Sequence, residues 1–350
     1  MHGIPAYGII APMDYTLHTT FPNSLESEWN ALLAESAGHV PFLRYEYLQA
    51  WWNGRGGGEW PPEARLAIVT AHQEGRLAGV APLFHAPDFR GRPCLMLLGA
   101  VEISDYLDLI ARPAELEEFV SGLLVYLPKA DLPDWEALEL PNLLDSSPSL
   151  PALERAAGNN GWNYQVQQLQ HSPYIPLPGD WETYLAGIDK KQRHEIRRKM
   201  RRAAEMPVPA QWYVVREAAG LEGEIEDFMN LMAQDPEKAA FLSPAMREQM
   251  RSITRCAFEQ GCLHLAFLTV NGEKAAGYLS FDYLNRLWVY NSGLDRRFME
   301  YSPGWVLLGH LLQWANENGY AEFDFMRGDE EYKYRFGAVD RYVMQVTLKR

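Results

Sequence analysis

Cysteine is scarce in this chain of 350 residues: only Cys94, Cys256 and Cys262 occur. Three thiols at irregular spacing build neither a disulfide framework nor a zinc site, so reduced, buried thiols are expected. The nine histidines include no H-x-x-x-H pair and no His/Cys pair at ligand spacing, so no metal site is expected. His264, in an alternating strand pattern, and His310, on an apolar helix, read as structural. No G-x-S-x-G occurs, which disfavours that class of hydrolase. No Ser or Cys nucleophile has a visible partner, so direct attack by an acceptor is favoured over a covalent enzyme intermediate. No apolar run approaches the roughly 18 residues of a membrane span. Met1–Thr20 has no Lys or Arg and no compact apolar core, so a signal peptide is not expected, and a cytoplasmic location is.

What is present is a globular composition, 47% hydrophobic with 11 Trp and 18 Tyr, in a length that fits two domains rather than one core. The net charge of −14 argues against nucleic-acid binding by the surface as a whole. One segment departs from this. Residues 190–202, K-K-Q-R-H-E-I-R-R-K-M-R-R, hold eight Lys or Arg against one Glu; this is +7, which leaves −21 for the remainder.

A layout repeats at a separation of about 190–200 residues. In the first half, Leu66–Thr70 and Leu77–Phe84 flank the turn Gln73-Glu74-Gly75-Arg76. A strand near Leu95–Leu98, a helix from about Ala114 to Leu127 and a strand at Trp135–Leu140 follow. In the second half, Leu263–Val270 and Lys274–Phe281 flank Asn271-Gly272, a strong hairpin signal. Leu287–Asn291, a helix after Pro303 and a strand at Glu322–Met326 follow. The expected division is 1–170 and 171–350. Between the halves, Pro148–Pro178 predicts a short helix and a strand at Trp162–Leu169. Asp180 then N-caps a helix with Trp181, Tyr184, Leu185 and Ile188 on one face. Ile196 and Met200 extend this stripe, so the basic run is the polar face of one long helix or a helix pair.

The halves differ at their second helices. The first opens with Glu115, Glu117 and Glu118, carboxylates that satisfy the helix dipole and repel phosphate. The second opens with Ser302, a good N-cap residue, Pro303 at the first helical position and Gly304, which permits close backbone approach. No acid occupies that turn, so a pyrophosphate site is expected at Ser302, Pro303 and Gly304, and only in the second half. The basic run is read as a separate site, distant from this helix start.

The run W-E-T-Y-L-A-G-I-D-K-K-Q-R-H-E-I-R-R-K-M-R-R, followed downstream by Y-S-P-G and F-D-F-M-R-G-D-E-E-Y-K-Y-R-F-G, resembles the FemAB-like branch of the GNAT superfamily. Within it the likeness is to the CelD/BcsL-type acetyltransferases associated with cellulose biosynthesis. P-F-L-R-Y-E-Y-L-Q-A-W-W near Pro41 and G-R-L-A-G-V-A-P-L-F near Gly75 extend the likeness over Leu25–Lys349. The resemblance implies an α/β chain of two tandem GNAT-like folds, each a mixed, mostly antiparallel sheet flanked by helices. It also implies acyl transfer to an amine, from acetyl-CoA, another acyl-CoA or aminoacyl-tRNA, with an envelope-polysaccharide amino sugar or precursor as acceptor. The usual pyrophosphate loop, Q/R-x-x-G-x-G/A, is replaced here by R-R-F-M-E-Y-S-P-G-W, which keeps only Gly304 and the helix start.

In that setting the thioester is expected beside Leu287–Asn291, with Tyr290 and Asn291 in contact with the cofactor and a backbone N–H on the carbonyl oxygen. Asp324, alternating with Phe323 and Phe325, is the candidate base for the acceptor ammonium. Tyr332 is the candidate acid for the departing thiolate, and Asp329 a further catalytic candidate. Arg327, Lys333 and Arg335, with Arg197 and Arg201 on the basic helix, are candidate substrate contacts. An aminoacyl-tRNA-dependent peptidyltransferase and a non-catalytic binding protein of a polysaccharide-synthesis complex are the alternatives.

Overall fold

Two tight turns frame the molecule, which is described for residues 12–206 and 210–350 of a computed structural model; most of the Met1–Thr20 reading lies outside them. Glu74 and Gly75 have φ of 52° and 78°, and Asn271 and Gly272 have 53° and 78°. Positive φ at both central positions is the type I′ geometry that matches strand twist, so each pair closes a hairpin. Ile68–Gln73 pairs antiparallel with Arg76–Ala81, and Leu263–Val270 with Glu273–Tyr283.

From each hairpin the chain follows the same course. In the first half, Leu83–Phe89 and Arg92–Leu97 lead to the helix Leu116–Tyr126 and to Ala137–Leu144, which pairs parallel with Arg92–Leu97. In the second, Arg286–Leu294 leads to the helix Pro303–Glu317 and to Glu322–Asp324, which pairs parallel with Arg286–Leu294. The order hairpin, strand, helix, parallel strand thus recurs, although in the first half the hairpin belongs to a different sheet from the strands that follow it.

The second-half sheet has six strands, in the order Tyr174–Pro176, Glu322–Asp324, Arg286–Leu294, Glu273–Tyr283, Leu263–Val270, Gln211–Val214. The first half carries a four-stranded sheet and a six-stranded one. The latter contains Ala137–Leu144 and Asn163–His171 with the chain's last strand, Tyr342–Lys349, antiparallel between them. The end of the chain thus returns to the first half.

Asp180 caps Trp181–Gly187 by accepting from Thr183 N–H at 2.7 Å. Asp189 caps Lys190–Ala204 from Lys191 and Gln192 N–H, so the basic segment is the second of a helix pair. Several helices fall where the sequence predicts no element, among them Glu26–Glu35, Tyr45–Asn53, Leu221–Met232, Pro236–Phe241 and Pro244–Glu259. The signal was present in Ser243-Pro244, since Ser243 Oγ accepts from Met246 N–H at 3.2 Å. Ser302-Pro303, which looks the same in sequence, behaves differently. Ser302 sits at φ 50°, ψ 51° and its side chain makes no capping bond, so the expectation of a side-chain N-cap there is corrected. The strand after this helix is also shorter than expected: Phe325 N–H still bonds Pro173 O, but Met326 is at φ 56° and the chain turns away.

Apolar burial divides at the second-half sheet. One face, with Leu265, Phe267, Leu279 and Phe281, is continuous with the first-half core through Phe42, whose ring lies 5.4 Å from that of Phe281. The other face packs Val306, Leu307 and Leu311 against Leu185 and Ile196. Cys94 and Cys262 are buried and Cys256 half-buried, all as free thiols. His264 lies under Trp314 and His310 stacks on Trp212.

Gly293 allows the end of the helix Leu221–Met232 to sit directly on the strand: an added Cβ would lie 2.4 Å from Met232 N and 2.5 Å from Leu231 C. Backbone cannot yield as a side-chain tip does. Gly293→Val is expected to cost about 3 kcal/mol, near the upper end for overpacking, and equilibrium urea unfolding with an unchanged midpoint would contradict this contact.

Candidate functional site

The parallel register between Arg286–Leu294 and Glu322–Asp324 stops at Trp288↔Asp324, although the first strand continues to Leu294. Beyond that pair the two strands part. On its other edge the long strand carries a bulge: Leu279 pairs Asn291 and Ser280 pairs Val289, which leaves Tyr290 as the extra residue. A bulge takes one residue's backbone groups out of the ladder and re-aims its side chain. At the parting lies a cavity of about 300 Å³ lined by Val289, Tyr290, Asn291, Ser292, Phe325, Arg327, Glu330, Tyr332 and Lys333. Glu102, Asp105, Gln170, Lys238 and Phe241 complete its walls. Five of the sequence-derived candidates therefore meet here: Tyr290, Asn291, Arg327, Tyr332 and Lys333.

Several of these are already engaged. Arg327 Nε donates to Asp105 Oδ1 at 2.8 Å, and its Nη atoms donate to the carbonyls of Val101 and Glu102. All three partners belong to the first half, so this guanidinium ties the halves together along the cavity wall. Tyr290 OH does the same by donating to Ile103 O at 2.8 Å. Lys333 Nζ donates to Arg327 O at 2.9 Å and Gly328 O at 3.0 Å and pairs with Glu330 at 2.8 Å. With three protons and three acceptors, its ammonium clamps the 327–330 loop.

Asp324 lies behind the cavity and does not line it. It is fully buried. Its carboxylate accepts from Tyr106 OH at 2.8 Å and Met326 N–H at 2.7 Å and pairs with Arg341, which also pairs with Glu322 at 2.8 Å. Burial pushes its carboxyl up to about 6, against the pull of Arg341. The expected proton transfer from the acceptor ammonium to Asp324 does not fit this geometry: both oxygens are bonded and the residue does not line the cleft. Asp329 is exposed on the loop and lines no cavity described here.

Two groups are unspent. Tyr332 sits with Phe325 at its side, and burial raises its hydroxyl well above the usual range, which keeps it protonated. Glu102, from the first half, forms no ion pair among the described residues. Lys238 was also missed; it donates to Asn291 Oδ1 at 2.9 Å and Ser292 O at 2.6 Å. Its local signal was the helix start D-P-E-K, where Asp235 caps Glu237 and Lys238 N–H. Nothing near Glu102 in sequence announces it.

A second cavity, about 650 Å³, opens on the helix side of the sheet. It is lined by Trp305, Glu331, Arg335 and the basic-helix residues Lys191, Gln192, His194, Glu195, Arg198 and Lys199. Lys199 Nζ lies 4.1 Å from the centre of the Trp305 ring, in the first turn after Gly304. Met200 packs against Gly309 of the same helix. The basic helix therefore adjoins the helix start, and the expectation of two distant sites is corrected. The stripe Ile196/Met200 buries against this helix, which turns Arg198 and Lys199 toward the cavity. Arg197 and Arg201 fall on another face: both are exposed, Arg197 pairs with Glu182, and neither lines the cavity. The short helix Glu331–Arg335 stands between the two cavities, with Tyr332 and Lys333 on one side and Glu331 and Arg335 on the other.

In the first half the corresponding helix start is filled. Glu115 pairs with Arg76 and Arg112, and Glu117 with Arg155. Among the described residues no group of three or more His, Cys, Asp or Glu is placed to hold a metal ion, and no helix is long and apolar enough to cross a membrane.

Residues 190–334 match the family model of an acetyltransferase (GNAT) domain. No curated protein matches the chain. Among solved structures it resembles FemX, with a TM-score of 0.66 at 11% identity, covering 94% of this chain and 96% of that one. It also resembles a conserved protein of unknown function from Bacteroides thetaiotaomicron VPI-5482, with a TM-score of 0.61 at 10% identity, covering 96% of this chain and all of that one. The C-terminal domain of a putative lysylphosphatidylglycerol synthetase from Agrobacterium fabrum superposes with a TM-score of 0.55 at 11% identity, covering 93% and 91%. Residues 190–334 thus resemble a GNAT acetyltransferase domain, and the whole chain shares the two-part α/β fold of these structures.

The Asp324 network makes a direct prediction for stability. Asp324→Asn leaves the Arg341 guanidinium buried with Glu322 as its one remaining carboxylate. A loss of about 3 kcal/mol is expected, the low end for breaking a buried ion pair. Denaturant unfolding that shows wild-type stability for this variant would mean the pair contributes nothing.

Proposed function

We propose that the protein is an N-acyltransferase that moves an acyl group from acyl-CoA to an amine. The observation that carries the reading is the parting of strands Arg286–Leu294 and Glu322–Asp324 between a basic cavity that holds Trp305 and a charge-balanced cleft walled by aromatic rings. The donor's phosphates lie in the first, on the backbone at Ser302–Gly304 with Lys191, Arg198, Lys199 and Arg335 around them. Trp305 offers a flat face to the adenine ring. The pantetheine arm follows the strand past the bulge at Tyr290, where an unladdered N–H meets the thioester carbonyl.

The acceptor amine approaches from the other cavity. Glu102 takes a proton from the acceptor ammonium, because the lone pair must be free to attack. The C–N bond then forms as the C–S bond breaks, and Tyr332 OH protonates the departing thiolate. Nitrogen sheds its second proton, which restores Tyr332 through solvent. The amide and free CoA leave with one net proton released.

A second reading replaces acyl-CoA by aminoacyl-tRNA. It is supported by the outward row Arg201 and Arg202, exposed and without ion pairs among the described residues, which continues the basic surface beyond the cavity. The CelD/BcsL-type role and the envelope-polysaccharide acceptor rest on sequence resemblance alone.

Helix faces separate these readings. Arg198→Gln with Lys199→Gln is expected to weaken acetyl-CoA binding about ten-fold or more, the value of a charge-assisted hydrogen bond or two. Arg197→Gln with Arg201→Gln is expected to leave it unchanged. Calorimetric titration in which both double variants bind acetyl-CoA like wild type, or in which wild type binds tRNA and not acetyl-CoA, would sink the first reading.

A further inference from the structure

Lys238 is the one cation of the reaction cleft without a carboxylate partner among the described residues. Arg327 has Asp105 and Lys333 has Glu330, whereas Lys238 Nζ bonds only the neutral oxygens of Asn291 and Ser292. Asp235 and Glu330 act on this half-buried ammonium only at a distance, and a half-buried ammonium with no bonded carboxylate is well placed to take one from a ligand. Burial correspondingly pulls its ionisation below the usual lysine range.

Asn291 adds a second donor. Its Oδ1 accepts from Ser292 N–H at 2.9 Å and from Lys238, which fixes the amide orientation. The Nδ2 group is left with two protons and no acceptor among the described residues. Lys238 and Asn291 therefore present adjacent donors to one cavity, an arrangement suited to the two oxygens of a carboxylate.

The space continues past Lys238. Lys238 and Ser292 also line a neighbouring groove of about 430 Å³, walled by Leu231, Met232, Leu294 and Met299, with exposed Asp235 and Arg296 at its rim. Two of the four apolar side chains are methionines, which adapt to aliphatic shapes. Across the cleft stands the unpaired carboxylate of Glu102.

We propose that the acceptor is a free amino acid with an aliphatic side chain. Its carboxylate sits on Lys238 and Asn291, its amine faces Glu102, and its side chain enters the groove of Leu231, Met232, Leu294 and Met299. This rests on the acyltransferase reading and replaces the amino sugar as acceptor.

The test is binding first, transfer second. Leucine is titrated calorimetrically into the full-length protein beside isoamylamine, which lacks the carboxylate, and glycine, which lacks the side chain. Leucine is expected to bind about ten-fold or more tightly than either. Lys238→Met is expected to reduce leucine to the level of isoamylamine, and Lys238→Arg to recover part of the difference. Leucine binding no better than isoamylamine in wild type, or an unaltered Kd in Lys238→Met, overturns the proposal. Release of CoA from acetyl-CoA is then followed with each acceptor. Leucine binding without CoA release upholds the amino-acid site and removes the acyltransferase reading. CoA release with glucosamine and not with leucine upholds that reading and overturns the amino-acid site.

Discussion

The buried carboxylate of Asp324 is the constraint on which the arrangement depends. It closes the short strand Glu322–Asp324, takes the hydroxyl of Tyr106 from the first half and holds Arg341 just before the last strand returns to the first-half sheet. Three segments distant in sequence meet on one side chain. Because Asp324 is pinned on the first-half side, Phe325 emerges into the cleft and the loop from Arg327 turns across it. Arg327 and Tyr290 then add their bonds to the carbonyls of residues 101–103. The cleft is thus built from both halves, and Glu102, its one carboxylate without an ion pair among the described residues, comes from the half whose own helix start is filled by ion pairs.

The two cavities flanking the short helix Glu331–Arg335 differ in chemistry as a bisubstrate reaction requires. The helix side is cationic and carries an indole; the cleft side balances three carboxylates against three cations and is walled by aromatic rings. The helix Glu331–Arg335 separates them, so two consecutive polar residues, Tyr332 and Lys333, face the chemistry while Glu331 and Arg335 face the basic groove. The basic helix has a place in this scheme because Met200 seats it on Gly309, beside the first turn that opens at Pro303.

Local signals were legible where local forces decide. Asn271-Gly272 and Glu74-Gly75 determined both hairpins, and Asp180 its cap. The clustering of Tyr290, Asn291, Arg327, Tyr332 and Lys333 was also legible, since strand, loop and short helix follow one another in the chain. Roles were harder to read than places. Lys333 and Arg327 are cations suited to a ligand in sequence, yet each is consumed by acceptors that only the tertiary fold supplies. Ser302 has the identity of a cap and a backbone conformation that prevents it. Glu102 and Lys238 lie about 190 and 50 residues from Asn291, with no spacing to link them to it. The face of the basic helix that matters depended on which residues the Ile196/Met200 stripe buries.

In the proposed reaction an acyl donor threads past the two parted strands, with its phosphates in the basic cavity and its thioester in the cleft. A crystal structure with bound CoA tests it most directly. The pyrophosphate is expected within hydrogen-bond reach of the backbone at Ser302–Trp305, the 3′-phosphate or adenine beside Lys199 and Trp305, and the thiol near Tyr290 and Tyr332. CoA bound along the first-half helix start at Glu115, or with its thiol away from the cavity of Tyr332, would contradict it.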